Sequence, residues 1–196
     1  MIIKDFNGDT HKTVLFLSYK AENWNTMDNI YKKYCQEKDI KVIVQCVPYY
    51  YKNIDGTFEK YIDGGMYPEY VTITPIEDYN YVNENPDVIV FQYPYDNYNS
   101  AGTTDPVFYS YNLASHTQKL IYIPYFRTDE IDENDMRAYT NMDAYVTMPG
   151  VVYADKVIVQ SEEIRKLYIK KLTDFFGEES EDEWEDKIEA EDIGGI

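Results

Sequence analysis

Apolar residues along this chain fall in short unbroken runs rather than in strict alternation with polar ones. TVLFLS (13–18), KVIVQCV (41–47), DVIVF (87–91), KLIYI (119–123) and KVIVQ (156–160) are five such runs. A run of this length without polar alternation predicts a strand buried on both faces, as in a parallel sheet. The intervening stretches carry a helical period. Trp24, Met27, Ile30, Tyr31 and Tyr34 recur at three- and four-residue steps, which predicts a helix over about 22–38. Short helices are expected near 78–85, 106–116 and 135–139, and a last one after Ser161, where Glu162 and Glu163 suit a helix start. Residues 48–75 form a long polar stretch with turn signals at Asp55-Gly56 and Gly64-Gly65, read as a small β hairpin. The alternation predicts a Rossmann-like α/β fold, a doubly wound and mostly parallel sheet of at least five strands.

Three of the strands close on the same dipeptide. KVIVQCVPYY, DVIVFQYPYD and KLIYIPYF each run into Pro-Tyr, and proline ends a strand because it cannot donate to the ladder. In an open α/β sheet the ligand crevice lies beyond the carboxyl ends of the strands. Tyr49, Tyr95 and Tyr125 are therefore expected along one rim, with Tyr19 after the first strand beside them. A plain strand stop, with a ring covering the sheet end, is the other meaning such a pair can carry.

Composition sharpens the aromatic picture, since 22 tyrosines against 8 phenylalanines is a strong excess of hydroxyl-tipped rings. Such rings suit crevices that hold sugars, glycerol phosphates or peptides. The 196 residues allow one domain plus a tail, expected as an α/β domain over 1–175 and an acidic tail or linker over 176–196. Ten acids and one base between 178 and 192 give −9, half of the net −18. The acidic body disfavours a phosphate backbone, so nucleic acid is not an expected partner. Neither a basic start with an apolar signal core nor a run of about 20 apolar residues is present, which predicts a cytoplasmic protein.

Candidate chemistry is sparse. Cys35 and Cys46 form no CxxC and have no histidine at ligand spacing, so no metal site is expected. Neither GxGxxG nor GxxxxGK[ST] occurs, so no nucleotide cofactor is expected. His11 and His116 both precede strands, at the end of the sheet opposite the crevice. Asp96, directly after a Pro-Tyr, could act on a substrate hydroxyl at the rim or cap a turn. Phosphate donors would be Lys20 with the amides opening the first helix, and Ser161 at the start of the last.

Several segments together resemble one family. VLFLSYKAENW, VPYYYKNIDGTFEKYIDGGMYPEYVTI, NPDVIVFQYPYDNYN, FYSYNLASHTQKLIYIPYF and MPGVVYADKVIVQSEEIRKLYI are similar to the amino-terminal half of bacterial CDP-glycerol glycerophosphotransferase-like proteins, relatives of the enzymes that build teichoic-acid-type polymers. The resemblance covers about 13–173. It implies the acceptor-side domain of a glycosyltransferase-B-like enzyme of cell-envelope polymer synthesis, inactive alone. A glycerol-phosphate or glycan acceptor would bind here, and CDP-glycerol would be held by a carboxyl-terminal domain that this sequence does not include. Peripheral association with the inner face of the plasma membrane is compatible with that role, and self-association through an uncovered cleft face is expected. In well-characterised relatives the strand before the cleft ends in a histidine-glycine pair whose imidazole is thought to be the base. Tyr125-Phe126 stands there instead, with Arg127 as the nearest cation to lower the tyrosine's pKa. The site implied is Tyr125 and Asp96 for chemistry and Tyr19, Lys20, Tyr49, Tyr95, Arg127 and Ser161 for binding. A stand-alone glycan- or peptide-binding module is the alternative.

Overall fold

The computed structural model describes residues 12–61, 63, 65–129, 131 and 135–194. In chain order the elements are β1 (Lys12–Ser18), α1 (Asn25–Cys35), β2 (Ile40–Cys46), β3 (Tyr49–Lys52), β4 (Phe58–Tyr61), α2 (Tyr81–Glu84), β5 (Val88–Phe91), β6 (Gly102–Thr104) and α3 (Ser110–Ala114). They continue with β7 (Lys119–Tyr122), α4 (Met136–Asn141), α5 (Asp143–Val146), α6 (Pro149–Tyr153), β8 (Lys156–Val159), α7 (Glu162–Phe176), α8 (Glu181–Lys187) and β9 (Ile188–Ala190). Six strands form one parallel sheet in the order β2-β1-β5-β7-β8-β9, and three form a small antiparallel sheet, β4-β3-β6. The doubly wound α/β architecture is as the apolar runs predicted.

Strand side chains alternate between two cores, because the side-chain period of a strand is two. Val14, Phe16, Val88 and Val90 pack on the α1 side with Trp24, Met27 and Ile30. Leu15, Leu17, Ile89 and Phe91 face the opposite layer, which holds Leu113, Met142, Val151 and Leu172. Tyr122, on β7, points into that second core with its hydroxyl fully buried and without a hydrogen-bond partner among the described residues. Desolvating a hydroxyl without a partner costs about 1–3 kcal/mol. Tyr122→Phe is therefore expected to raise the unfolding free energy by about 1 kcal/mol in urea denaturation, and a loss of stability would contradict this account.

The acidic segment after 176 is not a tail. Gly177, at φ +108, ends α7, and α8 then brings Trp184 (3 % exposed) against the ring of Phe176 at 5.3 Å. β9 pairs with β8 through Val157↔Ile188, Ile158↔Glu189 and Val159↔Ala190 and is the edge strand of the main sheet. Beyond it, the backbone oxygen of Asp192 accepts from Asn29 Nδ2 at 2.9 Å, and Ile193 enters the α1-side core. The acidic run misled because the apolar residues that anchor it, Trp184, Ile188 and Ile193, are spaced singly among carboxylates that face water. The expected domain boundary at 175 thus falls inside one folded unit.

Three further elements, β6, α5 and α6, lie outside the expected ones. β6 consists of Gly102, Thr103 and Thr104, with no apolar residue to mark it, and it completes the small sheet against Tyr49–Tyr51. α6 starts at Pro149, and its Gly150 sits so close to Pro94 that a Cβ there would lie 2.5 Å from the proline Cα. That close approach locks the turn after β5 against the next layer. Among the described residues, no helix is long and apolar enough to cross a membrane.

Candidate functional site

The strand order reverses between β1 and β5, the position at which a doubly wound sheet opens its ligand crevice. Here that crevice is filled from within. Gln92, the residue after β5 and fully buried, accepts at Oε1 from the backbone N–H of Tyr19 (3.0 Å) and donates from Nε2 to Asn23 O and Thr26 Oγ1, both at 2.9 Å. One carboxamide thereby ties the end of β5 to the turn after β1 and to the start of α1. From above, the Asp63 carboxylate accepts from the Ala21 N–H at 2.5 Å, and the Tyr67 hydroxyl donates to Ser18 Oγ at 3.0 Å. The amide expected to receive a phosphate after Lys20 is thus already bound to an internal anion.

Beyond this plug the Pro-Tyr residues do converge. The Tyr19 ring lies 4.9 Å from that of Tyr49, 5.0 Å from Tyr93 and 4.9 Å from Tyr125. Tyr95 joins through Tyr93 at 5.2 Å, and its hydroxyl lies 3.5 Å from that of Tyr125. The hairpin extends the cluster. The Tyr61 ring lies tilted against that of Tyr49 at 4.8 Å, and the Tyr51 hydroxyl lies 3.2 Å from that of Tyr49. Alternation along β3 puts Tyr49 and Tyr51 on one face, with Tyr61 directly opposite Tyr49 across the ladder. The result is one aromatic edge drawn from β1, β5, β7 and the hairpin.

Burial divides the roles along this edge. Tyr49 (2 % exposed) and Tyr93 form its inner wall; Tyr19, Tyr95 and Tyr125 are half-buried; Tyr51 and Tyr61 reach solvent. Tyr51, Tyr61 and Tyr93 were not among the residues singled out in the sequence. The i, i+2 spacing of Tyr49 with Tyr51 was the available signal for the first. Burial, followed by the charge of neighbouring phenols, holds the hydroxyls of Tyr19 and Tyr93 well above the ordinary tyrosine range. Burial also raises Tyr49 and Tyr95, helped by the hydroxyls of Tyr51 and Tyr125 respectively. These groups stay protonated at physiological pH and act as hydrogen-bond donors and acceptors, not as bases.

Lys20 belongs to the edge. Its Nζ lies 5.4, 5.3 and 6.0 Å from the ring centres of Tyr19, Tyr49 and Tyr61, with a Glu22 carboxylate at 3.5 Å. Three other candidates have different duties. Asp96 is 4 % exposed, and its two oxygens accept from the N–H and the Oγ of Ser110, both at 2.9 Å. It caps the start of α3 and offers no oxygen to the rim, so its role is the turn cap. Arg127 donates to the Gly194 carbonyl at 2.9 Å and lies 3.7 Å from Asp192, which turns it to the carboxyl-terminal segment instead of to Tyr125. Ser161 accepts from the Ile164 N–H at 3.2 Å, a helix N-cap with its oxygen engaged.

His116 contacts Asn112 O through Nδ1 at 2.9 Å and meets Tyr81 edge to face, away from the rim. His11 lies outside the described residues. Among the described residues, no group of three or more His, Cys, Asp or Glu could hold a metal ion. No family model, curated protein or solved structure matches the chain.

Proposed function

We propose that the tyrosine edge is the surface on which this chain receives a hydroxyl-rich acceptor, a glycerol-phosphate polymer or a glycan, as the acceptor-side domain of a glycerophosphotransferase-like or glycosyltransferase-like protein. One observation carries the reading: rings from three separate strands meet around Tyr19 at centroid distances near 5 Å, with a cation beside them. Tyrosine hydroxyls both donate and accept, as do the hydroxyls of a polyol, and the Lys20 ammonium would serve the polymer's phosphates. The resemblance of 13–173 to CDP-glycerol glycerophosphotransferase-like proteins supports the same substrate class.

The edge supplies recognition and no base. Tyr19, Tyr49, Tyr93 and Tyr95 are driven away from ionisation, Asp96 is spent on Ser110, and Arg127 is turned from Tyr125. This favours a second reading, a stand-alone glycan-binding module, over a self-sufficient transferase. Incubation with CDP-glycerol and a glycerol-phosphate oligomer is expected to give no transfer, and measurable turnover would overturn the assignment of a base-free edge.

Binding itself is tested by calorimetric titration with a glycerol-phosphate oligomer. Removing both hydroxyls of the contacting pair, Tyr95→Phe with Tyr125→Phe, keeps the rings and deletes two hydrogen bonds worth about 0.5–1.5 kcal/mol each. A loss of affinity of about tenfold with unchanged thermal stability is expected. An oligomer that does not bind the wild type, or binds the double variant equally well, would sink the proposal.

A further inference from the structure

The hairpin has a second face. Tyr50 lies between Tyr49 and Tyr51, so its side chain points away from the aromatic edge, and Lys60 is its partner directly across the β3–β4 ladder. Behind these two residues is a half-open cavity of about 240 Å³, bounded by Tyr79, Tyr81 and Phe108 and floored by Gln45 near the end of β2. An apolar cavity of ~150 Å³ takes up one benzene ring. The volume here suits one six-membered ring with substituents.

The polar groups around it keep unused capacity. Gln45 spends its amide hydrogens on the carbonyls of Pro75 and Tyr79, both at 3.0 Å, and its oxygen has no described partner. Asn80 uses Oδ1 to cap Val82 N at 3.0 Å and has no described partner for its NH₂. Asp105 caps Val107 N through Oδ1 at 3.1 Å, and its second oxygen has no described partner. Lys60 makes no hydrogen bond or ion pair among the described residues and is exposed at the mouth. Two acceptors, one neutral donor and one cation thus surround a space walled by aromatic rings.

From this set we infer that the cavity is a binding site for a single sugar ring carrying a phosphate. A nonpolar ring would leave the Gln45 oxygen and the second Asp105 oxygen without a donor, whereas sugar hydroxyls both donate and accept and can serve Gln45, Asp105 and Asn80 together. Electron-rich tyrosine faces suit the polarised C–H faces of a pyranose. Lys60 supplies a point charge for the phosphate at the entrance. The cavity lies on the face of the hairpin opposite to the aromatic edge.

The test is an NMR titration of the full chain with glucose 1-phosphate, with glucose and with inorganic phosphate. Glucose 1-phosphate is expected to shift the amides of Asn80, Val107 and Phe108, glucose to shift the same set more weakly, and phosphate alone to leave them in place. Lys60→Ala is expected to weaken the sugar phosphate five- to tenfold while leaving glucose unchanged. Val107→Trp fills the cavity from its half-open rim and is expected to abolish binding of both sugars, its unaltered circular dichroism showing that the fold persists. Undiminished binding to Val107→Trp, shifts confined to Tyr95 and Tyr125, or no saturable shift at all would each overturn the inference. Oligomer binding at the edge is read separately with the Tyr95 and Tyr125 variants and stands or falls on its own.

Discussion

Asp96→Asn is expected to flatten the pH dependence of folding stability between pH 4 and 7. Burial pushes the Asp96 carboxyl from its ordinary 3.8 up to about 6, although the N–H and hydroxyl of Ser110 pull in the opposite direction. The folded chain therefore holds this proton more tightly than the unfolded one. The stabilisation is full below pH 4 and disappears as the pH climbs through 6. The shift corresponds to roughly 2–3 kcal/mol. Asparagine tolerates the left-handed backbone at this position, φ +48, and its amide can still pair with both groups of Ser110. Urea unfolding followed at half-unit pH steps should show the wild type losing stability relative to Asp96→Asn by that amount; parallel curves would refute the buried-carboxylate account.

Trp184→Ala is expected to cost about 3–5 kcal/mol, the range for truncating a buried tryptophan. The indole is 3 % exposed, donates from Nε1 to Ser180 Oγ at 2.9 Å, and carries the Lys187 ammonium 4.6 Å above its ring. Behind it the segment is tied down further: Lys156 Nζ reaches Glu189 at 2.6 Å, and Arg165 donates to the carbonyls of Glu185 and Ile188 at 2.8 and 2.6 Å. Loss of the indole should release β9 from β8. Hydrogen exchange would report this as lost protection at Ile188–Ala190 together with the neighbouring β8 amides. A variant that melts like the wild type would restore the picture of a solvated tail.

The main sheet was readable because strands buried on both faces need no polar residue, so TVLFLS, KVIVQCV, DVIVF, KLIYI and KVIVQ stand out from their surroundings. The convergence of Tyr49, Tyr95 and Tyr125 was readable for a related reason: proline stops parallel neighbours at the same level. What stayed hidden depends on partners distant in sequence. Gln92 looks like any polar residue at a strand end until Tyr19, Asn23 and Thr26 are brought around it. Asp96 sits next to a rim tyrosine in the chain, yet its left-handed backbone turns the carboxylate to Ser110, 14 residues away. β6 and β9 hold three residues each, too few for a periodic pattern to mark them, and take their structure from the strands beside them.

Neighbours on β3 serve opposite compartments, Tyr49 and Tyr51 outward to the rings around Tyr19 and Tyr50 inward to the sugar-sized hollow. A single inserted or deleted residue ahead of Tyr49 would exchange those assignments at a stroke, since pleated side chains trade sides with every step. Lineages carrying such an indel would have to give up both pockets together, so the spacing between Cys46 and Tyr51 should resist length variation more firmly than the identity of any one residue within it.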